Sequence, residues 1–415
     1  MEYYSIATIL IVLSALFGYI NVRFLKLPIT IGLMLITIVF TVVVVAIAQF
    51  DNTLLLRERA FIAEIDFETV LLDIMLSFLL FAGALHTNFN QLKVQRWPIL
   101  AFATLGVVVS TFLVGIAMFY ILQWVGLDVK LIYCLLFGAL ISPTDPIAVL
   151  GILKKAGAPK KLETKIVGES LFNDGVGVVI FLTIFAIAAK PDAAIDWSDI
   201  IQLFGQEVIG GIALGLALGW LTYMLMRSID SYEVEVILTL SAVMGGTMLA
   251  HKFHLSAPLA MVTAGLIVGN DTSRNSAMSE ATELYVDKFW ELVDVLLNTV
   301  LFVMIGMEIL VLTLEGKYIL AGFLAIPTLL LCRYMSLYLP VKFFEKRLDF
   351  VPRTNLIMTW GGLRGGISIA LALSLSKDMH RELFLAITYI VVVASILGQG
   401  LTVEPIIKRL TRKAN

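Results

Sequence analysis

The chain has 415 residues, of which 59% are hydrophobic and 15% charged, with a formal net charge of −2 and a mean hydropathy of +0.94. A water-soluble protein of this size carries about a quarter charged residues and at most about half apolar ones, so this composition places the chain in a membrane. The near-neutral charge leaves no basic surface for nucleic acid. Cys134 and Cys332 both sit in apolar runs and read as small buried hydrophobes, outside any disulfide or metal site.

A membrane-crossing helix needs roughly 20 mostly apolar residues. By that measure the sequence contains about thirteen candidate spans, over 5–22, 28–49, 68–86, 98–124, 131–153, 164–189, 203–226, 232–251, 255–269, 287–312, 318–344, 354–376 and 383–404. The first has no basic stretch before it and no small-residue cleavage site after it, so it is read as a retained span and not a signal peptide. The ninth is short, and is expected to be broken or tilted. Connections are brief and leave no room for a soluble domain. The expected fold is therefore an all-α polytopic membrane protein. Basic residues divide unevenly between the two sides. Arg23, Lys26, Lys93, Arg96, Lys154, Lys155, Lys160, Lys161, Lys165, Arg227, Arg274, Lys288, Lys342, Lys346, Arg347, Arg353, Lys408, Arg409, Arg412 and Lys413 fall on the side of the C-terminal tail. The opposite side holds chiefly Arg57, Arg59, Lys130, Lys190, Lys252, Lys317, Lys377 and Arg381. The positive-inside rule then puts the N-terminus outside and the C-terminus in the cytoplasm, in the cell's inner membrane.

Two spans carry breaks. In the fifth, ISPTDPIAV places Pro143 and Pro146 inside the helix. Each lacks an N–H and disturbs the residue before it, so the backbone from Ala139 to Asp145 is expected to unwind, with Thr144 and Asp145 at the break. In the twelfth, WGGLRGGISIA surrounds Arg364 with Gly361, Gly362, Gly365 and Gly366, which weakens the helix by roughly 1 kcal/mol per glycine. Unwound backbone at membrane depth survives only in protein or against a polar cavity. The fifth and twelfth spans are seven apart and run in opposite directions, and interrupted spans at matching positions of two halves point to a transporter's binding site.

The sixth span holds GESLFNDGVGVV. Ser170 and Asp174 are four residues apart on one stripe of the helix, and Glu169 and Asn173 occupy the neighbouring stripe. Charges at this depth cost several kcal/mol or more, so they pair, face the interior, or do work. Arg333, buried in LLLCRYMSL of the eleventh span, is matched with Glu169 as a structural ion pair. Asp174 is left without a fixed cation. Out of water its charge must be neutralised, by a proton or by a small cation. A hard monovalent ion such as Na⁺ takes oxygen ligands, as the harder divalent ions do. Asp174, Asp145, Ser170, Thr144 and the freed carbonyls of the fifth span supply them. Asp73 fits an ion funnel or a dimer contact, and Glu291, Asp294, Asn298 and Glu308 in the tenth span fit an entrance funnel or a helix contact equally well. His86, His251, His254 and His380 read as loop or interface residues, with a pH-sensing role weighed for His86 alone.

Together TDPIAV, GESLFNDGVGVV, the lone arginine of the eleventh span and GGLRGGISIAL resemble the cation/proton antiporter-1 family, the NhaP-type sodium/proton antiporters and the animal sodium/proton exchangers, over the whole chain. The resemblance implies two inverted six-helix repeats with unwound, crossing fifth and twelfth helices. It implies an ion-binding core over about 97–189 and 318–408 and a dimerisation subdomain over about 1–96 and 200–312, with elevator-like sliding of one past the other. It makes Asp174 the ion- and proton-binding carboxylate, with Asp145, Thr144 and Ser170 completing the site. Asn173 becomes the mark of electroneutral exchange, Glu169 and Arg333 the stabilising pair, and Arg364 a supporting residue of open role. The expected activity is exchange of Na⁺, with Li⁺ as a further candidate, for H⁺ by a homodimer among membrane lipids, without cofactor and without a long regulatory tail. A K⁺/H⁺ antiporter of the same fold is the alternative, and a cation channel is a more distant one. A membrane enzyme is disfavoured: the companion motifs of an intramembrane protease are missing, and GILKKAG lacks the glycine spacing of a phosphate loop.

Overall fold

A computed structural model describes residues 2–47, 69–87, 89–145, 149, 153, 156–189, 197–270, 279–309, 312, 315–346, 348 and 350–411. Arg57, Arg59, Pro146, Lys154, Lys155, Lys190, Arg274, Arg347, Arg412 and Lys413, and residues 147, 148 and 150–152 of the fifth span, lie outside the described residues, as does the side chain of Asp73.

The described residues fold as helices joined by short connections. In chain order they are α1 (Glu2–Ile20, continuing through a wide turn at Asn21–Leu25), α2 (Ile29–Ile47) and α3 (Thr69–Leu85). Next come the short α4 (Phe89–Val94), α5 (Arg96–Val125), α6 (Leu131–Ile141), α7 (Lys160–Ala188) and α8 (Trp197–Arg227). Then follow α9 (Tyr232–Lys252), α10 (Ala257–Val268), α11 (Glu280–Glu308), α12 (Gly316–Glu345), α13 (Thr354–Trp360), α14 (Gly366–Leu373) and α15 (Arg381–Leu410). Among the described residues nine helices are long and apolar enough to cross a membrane. The shorter ones, α3, α6 and α10 together with the pair α13 and α14, fall in the third, fifth, ninth and twelfth predicted spans.

Local chemistry accounts for several boundaries. Pro159 stands just ahead of α7, where a missing N–H costs nothing. Ser256 and Ser279 cap α10 and α11, accepting hydrogen bonds from Leu259 N and Thr282 N at 3.4 Å. At the end of α5, Gly126 takes φ +78° while Leu127 N donates back to Leu122 O, a left-handed stop that suits glycine. Many large apolar side chains point outward, among them Ile9, Val12, Trp124, Ile209, Met248 and Leu339. In water this surface would be a liability; in lipid it is the solvated face.

The helices pack in two groups. In one, α5 lies against α6 and α12, α12 against α15, α7 against α6, and α14 against α15. In the other, α10 packs on α3 and α8, and α11 on α2, α3 and α9. Trp290 of α11 anchors the second group: it is fully buried, meets the rings of Phe78 and Phe81, and donates to Thr239 Oγ1 at 2.9 Å. The groups meet where α7 touches α8 and α10 and where α14 touches α11 and α3.

The break in the fifth span begins later than expected. Helix α6 continues through Ile141, and Ser142 still has helical angles of φ −74° and ψ −36°, so Ala139 to Ser142 keep the helical path, and the described residues that leave it at this break are Pro143 to Asp145. Side chains supply donors at this end of α6. Ser142 Oγ donates back to Gly138 O at 2.7 Å, and an arginine takes the carbonyls of Ser142 and Pro143.

Candidate functional site

The two breaks lie against each other. Asp145 N donates to Leu363 O at 2.8 Å, joining non-helical backbone of one to that of the other. Arg364 Nη1 donates to Ser142 O at 2.7 Å and Pro143 O at 2.9 Å, and its own N–H reaches Ser395 Oγ at 3.0 Å. These are orphan carbonyls at the negative end of α6. A buried guanidinium both satisfies them and meets the helix dipole. Arg364 thus ties the end of α6 to the gap between α13 and α14. Gly365 is required by proximity. A Cβ there would run into the Asp145 carboxylate, so the glycine lets that side chain lie directly over the second break.

Helix α7 faces this crossing with its two polar stripes. Glu169 is fully buried, and Arg333 Nη2 stands 2.8 Å from its Oε1 and 2.9 Å from its Oε2. Gly362 leaves room for the arginine, since a Cβ there would press on the guanidinium. Asn173 is also fully buried. Its Nδ2 donates to Thr144 Oγ1 at 2.9 Å and lies 3.5 Å from Glu169 Oε1, while its Oδ1 accepts from Thr144 N at 3.2 Å. The amide therefore holds unwound residue 144 by backbone and side chain together. Thr144 Oγ1 also shares a hydrogen bond with Ser170 Oγ at 2.9 Å.

Asp174 sits beyond this network. It is 2% exposed, and no described residue donates a hydrogen bond to its carboxylate. Asp145 and Glu169 are close enough for their charges to act on it. Asp174, Thr144 and Asp145 line the deep end of a cavity of about 820 Å³. One wall is the stripe of α7 through Lys160, Thr164, Val167, Leu171 and Asp174; the facing wall is the stripe of α11 through Asp287, Glu291, Asp294, Asn298 and Leu301. Both advance by three and four residues, the helical repeat. At the mouth His86 places Nε2 3.8 Å from Asp287 Oδ1, with Nδ1 2.9 Å from Ala82 O.

Of the residues singled out in the sequence, Asp174, Asp145, Ser170, Thr144 and Asn173 are brought together, and Glu169 and Arg333 pair beside them. Arg364 belongs to the backbone crossing. Glu308, buried at the end of α11, does not line the cavity. Asn173 clamps the break, which only the fold reveals. Glu291, Asp294 and Asn298 form a lining stripe with Asp287, a spacing of four, three and four that is visible in the sequence.

The family model for "Sodium/hydrogen exchanger, transmembrane" matches residues 11–409. The chain belongs to that family. Among its exchanger relatives is the Na⁺/H⁺ antiporter NhaP of Pseudomonas aeruginosa, 48% identical over 405 residues, covering 96% of this chain and 95% of the relative. Another is the Na⁺/H⁺ antiporter NhaH of Halobacillus dabanensis, 33% identical over 393 residues, 94% of this chain and 93% of the relative. The fold matches that of the sodium proton antiporter MjNhaP1 of Methanocaldococcus jannaschii at pH 8, with a TM-score of 0.77 and 18% identity, covering 99% of this chain and all of the other.

Proposed function

We propose that this chain is a secondary antiporter that exchanges Na⁺ for H⁺, with cation and proton competing for Asp174. The observation that carries the reading is the state of that carboxylate. It is buried at the end of a cavity, without a hydrogen-bond donor among the described residues and beside the Thr144–Ser170 hydroxyl pair, while the other acid on the same helix is neutralised by Arg333. An acid in that position needs a counter-charge. A proton and a cation exclude one another there, and that exclusion couples the two fluxes. Asp145, Ser170 and Thr144 supply further oxygens to the cation. Asn173 contributes no second charge beside Asp174, which favours one-for-one, electroneutral exchange. The names of the Pseudomonas and Halobacillus relatives favour Na⁺ over K⁺.

The cavity mouth, with His86, Lys160, Asp287 and Lys288, belongs to segments on the cytoplasmic side by the positive-inside orientation, so this conformation is inward-facing. The group of α5, α6, α7 and α12–α15 is the moving core and the group of α1–α3 and α8–α11 the dimerisation scaffold. Their separate packing, with the cavity between them, supports sliding of one past the other in a homodimer of the inner membrane.

The test uses reconstituted vesicles with an internal pH dye, to which Na⁺, Li⁺ and K⁺ are added in turn, with and without valinomycin to clamp the voltage. The parent moves protons on addition of Na⁺ and is indifferent to the clamp; Asp174→Asn moves none while staying folded. Na⁺-driven proton movement in Asp174→Asn would overturn the assignment.

A further inference from the structure

We propose a second monovalent-cation site on the scaffold wall of the cavity, built from Asp294 and Asn298 of α11. It rests on the cavity being the ion route, and it is distinct from the Asp174 site because its ligands come from the opposite helix group. Asn298 Nδ2 donates to Asp294 O at 2.8 Å and to Asp294 Oδ1 at 3.1 Å. Flipping the amide would set oxygen against both oxygens, so the orientation is fixed. The other end of the amide is then defined. Asn298 is 3% exposed, and its Oδ1 is buried with no donor among the described residues. Buried carbonyls normally find a partner, and a bare one, in a residue that lines the cavity and beside a carboxylate, is an acceptor suited to a cation. Asp145 stands across the cavity, near enough for its charge to act on Asp294. A cation held at Asp294 relieves that repulsion while Asp145 stays with the Asp174 site. The depth is also suited. Towards the mouth the wall carries Lys160, Glu163, Asp287 and Lys288, whereas Val167 and Leu171 line the last stretch of α7 before Asp174. An ion shedding water there gains the Asp294 carboxylate and the Asn298 carbonyl before it reaches Asp145 and Asp174.

The experiment reads binding without transport. Purified full-length Asp174→Asn protein in detergent is titrated with NaCl against choline chloride at constant ionic strength, and its melting temperature is followed. Na⁺-specific stabilisation persists in Asp174→Asn, vanishes in Asp174→Asn/Asp294→Asn, and returns in Asp174→Asn/Asp294→Glu. No Na⁺-specific shift in Asp174→Asn, or an undiminished one in the double variant, overturns the proposal. A parent that stabilises this way but drives no proton exchange would sink the transport reading and leave the site standing. In vesicles, Asp294→Asn alone raises the half-saturating Na⁺ concentration about tenfold, the loss of one charged contact, for loading from the cavity side only. An equal rise on both sides overturns it too.

Discussion

The Glu169–Arg333 pair offers the sharpest measurement of what holds this core together. Glu169→Gln keeps the shape of the side chain and removes only its charge. Arg333 is then a guanidinium with 4% of its side chain exposed, facing an amide across the 2.8 Å that separated it from a carboxylate. Breaking a buried pair from one side costs about 3–5 kcal/mol, because the surviving charge is left uncompensated. Melting points of medium-sized domains move about 2–4 °C per kcal/mol, and a larger chain moves less, so a fall of about 5 °C is expected. Arg333→Met orphans Glu169 and has a similar effect. The double variant Glu169→Gln/Arg333→Met removes both charges and recovers most of the loss, because two apolar or neutral groups of similar shape replace the pair at little net cost. The chain supplies its own reporters: Cys134 and Cys332 are free and buried, so a thiol-reactive dye reads unfolding in detergent. Cys332 adjoins Arg333 and senses the local site, while Cys134 on α6 senses the crossing. If the single variants melt with the parent, or if their costs add in the double variant to within about 0.5 kcal/mol, the pair is not the strut the geometry describes.

Asn173→Ala removes both hydrogen bonds to Thr144 and is expected to cost about 2 kcal/mol and most of the exchange, whereas loss of stability without loss of transport would contradict its clamp. Asn173→Asp lacks the donor to Thr144 Oγ1 and adds a carboxylate beside Asp174, so exchange is lost or becomes voltage-sensitive; voltage-insensitive exchange at the parent rate would refute its part in stoichiometry. Arg364→Met leaves Ser142 O and Pro143 O without their donor, at about 1–3 kcal/mol for each buried orphan, and thermal scans should show a larger loss than for Arg364→Lys, whose ammonium still reaches the carbonyls. Competition at one carboxylate also sets the pH dependence: once the proton-bound form predominates, each further unit of acidification raises the half-saturating Na⁺ concentration about tenfold, and a half-saturation constant that stays flat with pH would remove Asp174 as the shared site.

The apolar runs, the two breaks and the polar columns of α7 were legible because each is a local property. Helical repeat alone puts Ser170 with Asp174 and Glu169 with Asn173, and no helix in lipid tolerates an isolated arginine such as Arg333, so a partner among few buried acids was demanded before any contact was known. The tenth span shows the limit. A stripe at 287, 291, 294 and 298 is visible as spacing, yet a polar stripe serves equally well against another helix or against water, and only the cavity decides.

What the sequence determined by itself was the solvent, the helices and the places where they fail, since hydropathy, proline and glycine act over a few residues. The tertiary structure alone decided where the freed groups went. Arg364 turns to the carbonyls of Ser142 and Pro143, Asn173 grips Thr144, and Asp174 alone of the buried acids on α7 is left facing open space. The Arg364 contacts join residues more than 200 apart and the Asn173–Thr144 contacts residues 29 apart, and pairing at either distance is fixed by packing of the whole bundle and not by any local preference.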